Sequence, residues 1–328
     1  MNHILQFSLR ATSAAAAMGL CSVAFAAPVI DANIEFDNTY RSGSKVDNTE
    51  DKGMSQGGRV EFNISGKAGA NMFVNARASL LAKKDGTAAT DDMWVQVGSA
   101  KGDVKLGRFE AADLFPLAQD TLINHAGNVY YANALRGRKD SNVFHAAGTM
   151  NLGNGLSLEV GVLETKGTSA ALGDTAKASG IRPVLSYVAG PLTARVGFES
   201  GHFAPLAIGG TTNDIRGVGA TLGYDFGSFK LTGNYASGKT DSSNSDNNQR
   251  GVAVTAAIGG LVLGSISGKT EQTGGDQKVQ TFYASYAIPL FDIKGATITP
   301  ALSSSTAKVS GLADVKENSF RLRLNYAF

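Results

Sequence analysis

Apolar and polar residues alternate with period two along most of the chain. At the C-terminus Phe320, Leu322, Leu324, Tyr326 and Phe328 interleave with Arg321, Arg323, Asn325 and Ala327. Near the start, Ile30, Ala32, Ile34 and Phe36 interleave with Asp31, Asn33, Glu35 and Asp37. Val60, Phe62 and Ile64 stand against Arg59, Glu61 and Asn63, and Met72, Val74, Ala76 and Ala78 against Phe73, Asn75 and Arg77. Leu192–Phe198 and Val218–Phe226 repeat the pattern, the second with Gly217, Gly219 and Gly223 in its polar set. Successive side chains of a strand point to opposite faces, so each segment reads as a strand with one apolar face. A helix would need apolar residues three and four apart, and these segments lack them.

The connections between these segments alternate long and short. Arg41–Ser55, Ala82–Asp91, Glu110–Asp140, Thr165–Ala178, Ser200–Asp214 and Ser237–Asn248 read as long and polar. Gly66–Gly69, Gly98–Gly102, Gly153–Gly155, Ala189–Pro191, Gly227-Ser228 and Gly259-Gly260 read as short turns. Loops on one rim and turns on the other are the mark of a transmembrane up-and-down antiparallel β-barrel. The segments amount to about sixteen strands at ~10 residues each. Fourteen and eighteen stay open, because Leu261–Ser267 and Met93–Val97 alternate poorly. A barrel must close in lipid, since an open edge would leave backbone N–H and C=O groups without partners. The apolar set then meets outer-membrane lipid and the polar set lines water, with tyrosines and phenylalanines at strand ends forming interfacial girdles. A soluble sandwich would bury those aromatics between sheets and would not alternate its connections so regularly.

Composition narrows this further. Glycine is 40 of 328 residues, charged residues are 18% and mean hydropathy is −0.06. That is too polar for a bundle of membrane helices, and no later run reaches ~18 apolar residues. A net charge of +2 gives no basis for a nucleic-acid partner. Met1–Ala26 reads as a signal peptide, with Arg10 in its basic region and Ala24-Phe25-Ala26 as the cleavage signature. It contains Cys21, the only cysteine, so residues 27–328 form one barrel domain without disulfides or thiolate metal ligands. No catalytic, cofactor or metal site is expected: His125, His145 and His202 form no metal-ligand pair, and no nucleophile elbow is present. Asp241–Asp246 lacks calcium-loop spacing and reads as a solvated loop.

Three features together resemble the Gram-negative general-diffusion porins of the proteobacterial, trimeric type. They are the terminal Arg321–Phe328 segment ending on phenylalanine, Gly102-Asp-Val-Lys-Leu-Gly107-Arg108 ahead of the third loop, and the long third loop itself, Glu110–Asp140. The resemblance implies a water-filled outer-membrane pore for passive diffusion of small hydrophilic solutes and ions. It implies that Phe328 is the signal read by the barrel-assembly machinery. It implies a third loop folded into the pore, with Glu110, Asp113 and Asp120 facing a wall of Arg59, Arg77, Arg108, Arg321 and Arg323. The phase of Arg59, Arg77, Arg321 and Arg323 independently puts them in the lumen. Arg108 falls on the outer face by phase and would need a bulge near Gly107 to turn inward. A homotrimer is expected from the resemblance, helped by the small outward residues Ala76 and Ala78. Position rather than net charge must set selectivity, and the arginine wall predicts a modest anion preference. The rival readings are a substrate-selective channel for organic acids or sugars and a non-conducting adhesin or structural barrel.

Overall fold

The computed structural model describes residues 27–328 except 48, 120, 122, 139–142, 167–174, 206–211, 243–244 and 273. The expected signal segment lies outside the described residues. The described chain is all β. Its elements are β1 (Val29–Ser44), β2 (Glu50–Ala68), β3 (Met72–Lys83), β4 (Ala88–Ser99), β5 (Gly102–Arg108) and β6 (Phe144–Gly153). There follow β7 (Leu156–Lys166), β8 (Thr175–Ala189), β9 (Leu192–Pro205), β10 (Asn213–Asp225), β11 (Lys230–Ser242) and β12 (Ser245–Ile258). The last are β13 (Leu261–Gln272), β14 (Gln277–Tyr286), β15 (Ile288–Pro289), β16 (Ala296–Val309) and β17 (Val315–Ala327). β15 continues β14 beyond Ala287 against the same neighbour, β16, so the barrel has sixteen staves.

Each stave pairs antiparallel with the next, and β1 pairs with β17 from Asn33↔Ala327 to Ser44↔Lys316. The seam ends on Phe328, which exchanges both main-chain hydrogen bonds with Ala32, at 2.8 and 2.9 Å. The sheet therefore has no open edge at its seam, as a bilayer demands. Outward positions are the apolar set: Ile64, Val74, Val97, Val196, Leu222 and Leu324 are all exposed. Aromatics gather near the turn rim, where Tyr224, Phe226 and Phe229 touch in series and Tyr326 stacks on Phe328 at 5.2 Å.

Two expectations from sequence change. Most connections read as long are strand. β1 and β2 stay paired up to Ser44↔Glu50, and β11 and β12 up to Ser242↔Ser245, so Asp241 and Asp246 face each other across a ladder rather than in a loop. Above the hydrocarbon both sheet faces are wet, so the alternation of polarity stops while the backbone pairing continues. The 109–143 connection between β5 and β6 remains long. Secondly, β13 alternates poorly because its inward side chains are apolar: Val262 and Ile266 are buried inside the barrel, not in lipid.

Candidate functional site

The connection after β5 folds into the barrel. Leu114, Phe115 and Ala132 pack on inward residues Val184, Ala236, Ala253, Val262, Ile266 and Tyr283, giving the lumen a dry cluster on the β8–β14 side. Inward glycines make the room. A Cβ on Gly219 would stand 2.9 Å from the Leu114 Cβ and 3.0 Å from the Ala132 Cβ, and one on Gly251 would stand 2.1 Å from the Tyr130 carbonyl oxygen. Gly197, Gly201, Gly217 and Gly268 are crowded by the same loop. Glycine in the polar phase of these strands is thus a seat for the loop.

Polar contacts fasten the loop around the wall. Glu159 Oε1 accepts from the Ala112 N–H at 2.9 Å, and Thr221 donates to the Leu114 carbonyl at 2.8 Å. The amide of Asn234 donates to the Pro116 carbonyl (2.8 Å) and the Tyr283 hydroxyl to that of Leu117 (2.9 Å). Further on, Asn124 donates to Glu317 (3.0 Å) and Ser319 (2.6 Å) of β17, so the loop reaches from β7 round to β17. His125 bridges Thr281, at 2.8 Å, and the Tyr131 hydroxyl. Burial lowers the His125 pKa, so its imidazole is neutral at neutral pH. Burial also pushes the Tyr131 phenol up to about 12, so it keeps its proton. The deepest fastening is Glu199, wholly buried, which accepts from the Tyr130 hydroxyl at 2.6 Å and the Leu135 N–H at 3.0 Å. Arg182, also buried, stands 3.9 Å from it and donates to Asn133 at 2.9 Å.

Across the lumen, β1–β4 and β17 carry alternating charge. Arg323 is bidentate on Asp37 (2.8 and 3.0 Å), and Arg321 reaches the same carboxylate at 3.2 Å. Arg59 lies 3.2 Å from Glu35 and 3.6 Å from Glu61. Arg77 lies 3.3 Å from Glu61 and 3.7 Å from Asp92, and donates to Asn63 at 2.8 Å. The carboxylates are recessed, at 10–16% side-chain exposure, while Arg59 and Arg77 stand forward at 37% and 36%. The wall is close to neutral in charge, yet guanidinium is what it offers to water. Closer to the turn rim, Lys67 lies over the Phe73 ring at 4.4 Å and Lys105 over Trp94 at 4.6 Å. Neither lysine has a carboxylate within 4 Å among the described residues.

A family model described as Gram-negative porin matches residues 11–291. The chain belongs to this family. The match ends before β16 and β17, which the geometry shows to be the closing staves. A search of the curated proteins by sequence finds no match. Among solved structures the porin resembles the outer membrane channel DcaP of Acinetobacter baumannii, at 12% identity and a TM-score of 0.68, covering 92% of this chain and 97% of that one. It resembles the trimer form of OmpT, an outer membrane protein of Vibrio cholerae, at 12% identity and a TM-score of 0.67, over 92% and 100% of the two chains. It also resembles an anion-selective porin from Comamonas acidovorans, at 16% identity and a TM-score of 0.64, over 92% and 99%. At these identities the likeness is one of fold.

Of the wall residues expected in this porin, Arg59, Arg77, Arg321 and Arg323 share carboxylates in one cluster. Arg108 is placed apart. Gly107 has φ +119°, and the Arg108 Nε donates to the main-chain carbonyls of Thr90 (3.2 Å) and Asp91 (2.9 Å) of β4. Glu110 and Asp113 lie at the start of the loop, but each meets an arginine from the loop's own end. Arg136 contacts Glu110 at 3.0 Å and Asp113 at 3.9 Å, and Arg138 bridges Glu110 (3.3 Å), Asp91 (3.1 Å) and Asp92 (2.8 Å). Asp120 lies outside the described residues. Arg136 and Arg138 are the site residues that sequence reasoning missed; two arginines at the far end of a loop that begins with two acids were the available signal. His202, within the Ser200–Asp214 stretch that the sequence marks as a loop, is on β9, 2.7 Å from Asp214.

Proposed function

We propose that this outer-membrane porin is a passive diffusion channel for small hydrophilic solutes and ions, with a modest preference for anions. The observation that carries the reading is the unequal exposure of the wall: Arg59 and Arg77 stand forward of Glu35, Glu61 and Asp92. Lys67 and Lys105, held on aromatic rings, add positive charge. The preference is modest because Asp31, Asp103 and Glu317 also face inward on their strands, and because the loop acids Glu110 and Asp113 are matched by Arg136 and Arg138. A ring of mixed sign sieves by size first and by charge second.

The working unit in this proposal is a homotrimer, as in the trimer form of OmpT from Vibrio cholerae. In planar bilayers each insertion should close in three equal steps, with conductance linear in KCl up to molar salt. Single-step closure would contradict the trimer. Conductance that saturates in one organic acid or sugar would favour the selective-channel reading instead, and absence of conductance the adhesin one. Phe328, exposed, bonded through its main chain to Ala32 and stacked on Tyr326, is the proposed assembly signal. Its deletion should lower the amount of heat-modifiable porin in the outer membrane; unchanged levels would remove that role.

A further inference from the structure

A hollow of about 300 Å³ lies inside the barrel, between the seated loop and the turn rim. The loop closes one side with Pro116 and Ala118. The wall supplies inward residues from the turn halves of four strands: Thr193 and Arg195 of β9, Thr221 of β10, Lys230 and Thr232 of β11, and Ala257 of β12. Period two sets their facing, since Val196, Leu222 and Leu231 take the opposite phase and are exposed on the outer surface. Gly223 keeps the space open. It stands cross-strand from both Thr193 and Thr232, and a Cβ there would come to 2.6 Å from the Thr193 hydroxyl and 3.4 Å from that of Thr232.

No acid answers the two cations of this hollow. Arg195 donates one N–H to the main-chain carbonyl of Asp113 at 3.1 Å, and neither Arg195 nor Lys230 has a carboxylate within 4 Å among the described residues. Glu159 accepts from the Ala112 N–H instead, and Asp225, cross-strand from Lys230, accepts from the Gly227 N–H at 2.8 Å. Of the three hydroxyls, Thr193 donates to the Gly223 carbonyl (3.3 Å) and Thr221 to that of Leu114 (2.8 Å), while that of Thr232 has no hydrogen-bond partner among the described residues. Thr255, the cross-strand neighbour of Thr232, is wholly buried, and its hydroxyl is unpartnered too. A guanidinium, an ammonium and a free hydroxyl thus converge with no anion among them. The remaining lining, from Pro116, Ala118 and Ala257, is hydrocarbon.

We propose that this hollow is a binding site for a small organic acid with a short hydrocarbon body. Its carboxylate lies on Arg195, Lys230 and Thr232, and its chain lies against Pro116, Ala118 and Ala257. Guanidinium matches the two oxygens of a carboxylate with two N–H groups, and the ammonium adds a point charge. An inorganic anion would satisfy the cations but leave the apolar side of the hollow to water, whereas a few methylenes fill it. The site depends on the proposed diffusion channel only for an open lumen that admits the acid.

The test uses the purified full-length porin in a neutral detergent at fixed ionic strength. It is titrated with butyrate, acetate, butanamide and inorganic phosphate, reading binding by isothermal titration calorimetry. No current is measured, so the site and the conducting function can fail separately. Butyrate should bind about tenfold tighter than acetate, which lacks two methylenes to bury. Butanamide, of the same shape without the charge, should not bind. Lys230→Gln should weaken butyrate about tenfold and Thr232→Val about fivefold, while Lys230→Arg keeps it. Neither side chain is bonded within the fold, so these variants should keep the thermal unfolding midpoint of the parent. Ala257→Leu, which fills the apolar end, should remove the advantage of butyrate over acetate. Butyrate bound no tighter than butanamide, or undiminished by Lys230→Gln, would overturn the proposal. Phosphate bound as tightly as butyrate would also overturn it, assigning the hollow to inorganic anions.

Discussion

Arg182 and Glu199 are the most deeply buried ionic residues among those described, both at about 1% exposure or less, and they lie under the loop rather than in the open lumen. Period two in β8 and β9 turns both inward, so their facing was legible from sequence. Their burial was not, because it depends on where a loop without periodicity comes to rest. Removing one member of a buried pair leaves the other charge uncompensated, at a cost of about 3–5 kcal/mol. Glu199→Leu should therefore destabilise strongly, and adding Arg182→Met should recover much of the loss in urea unfolding. Recovery should stop short of the parent, since Tyr130 and Leu135 also lose their acceptor. A double variant no more stable than the single one would show that Arg182 does not depend on Glu199. The same dependence explains the inward glycines. Gly217 and Gly219 read as gaps in a polar face, and only the seated Leu114, Tyr130 and Ala132 show what the gaps accommodate.

The strands were the legible elements, because hydrocarbon outside and water inside force opposite polarity on alternate residues. β4 and β13 were ambiguous for a physical reason: they carry Trp94, Val262 and Ile266 inward, toward the loop. The loop itself is held at its middle by His125 between Thr281 and Tyr131. A histidine whose folded pKa is lowered below its unfolded ~6.5 binds fewer protons folded than unfolded. Its contribution is in full force above pH 6.5 and is lost as pH falls through that value toward the lower folded pKa. Acidification from pH 7.5 to 5 should thus increase open-channel current noise, and His125→Gln should be noisy at neutral pH and change little with acid. Noise in the parent that is flat across this range would deny His125 an anchoring role.

At the scale of the whole molecule the chain is a closed tube whose polar interior is divided between a seated loop and a charged wall. Closure was legible at Phe320–Phe328, where the clearest alternation in the sequence becomes the stave that meets β1. The matching of charges was not, because Glu35, Asp37, Glu61 and Asp92 come from three strands and Arg136 and Arg138 from the loop. The account rests on guanidinium standing forward of recessed carboxylate at Arg59 and Arg77, and the zero-current potential across a tenfold KCl gradient measures that directly. The parent should be modestly anion-selective. The preference should weaken as salt rises, since the Debye length falls from ~10 Å at 0.1 M to ~3 Å at 1 M. The Arg59→Gln/Arg77→Gln variant should shift toward cations, leaving Glu35, Glu61 and Asp92 less screened. A cation-selective parent, or a potential unchanged in the double variant, would contradict it.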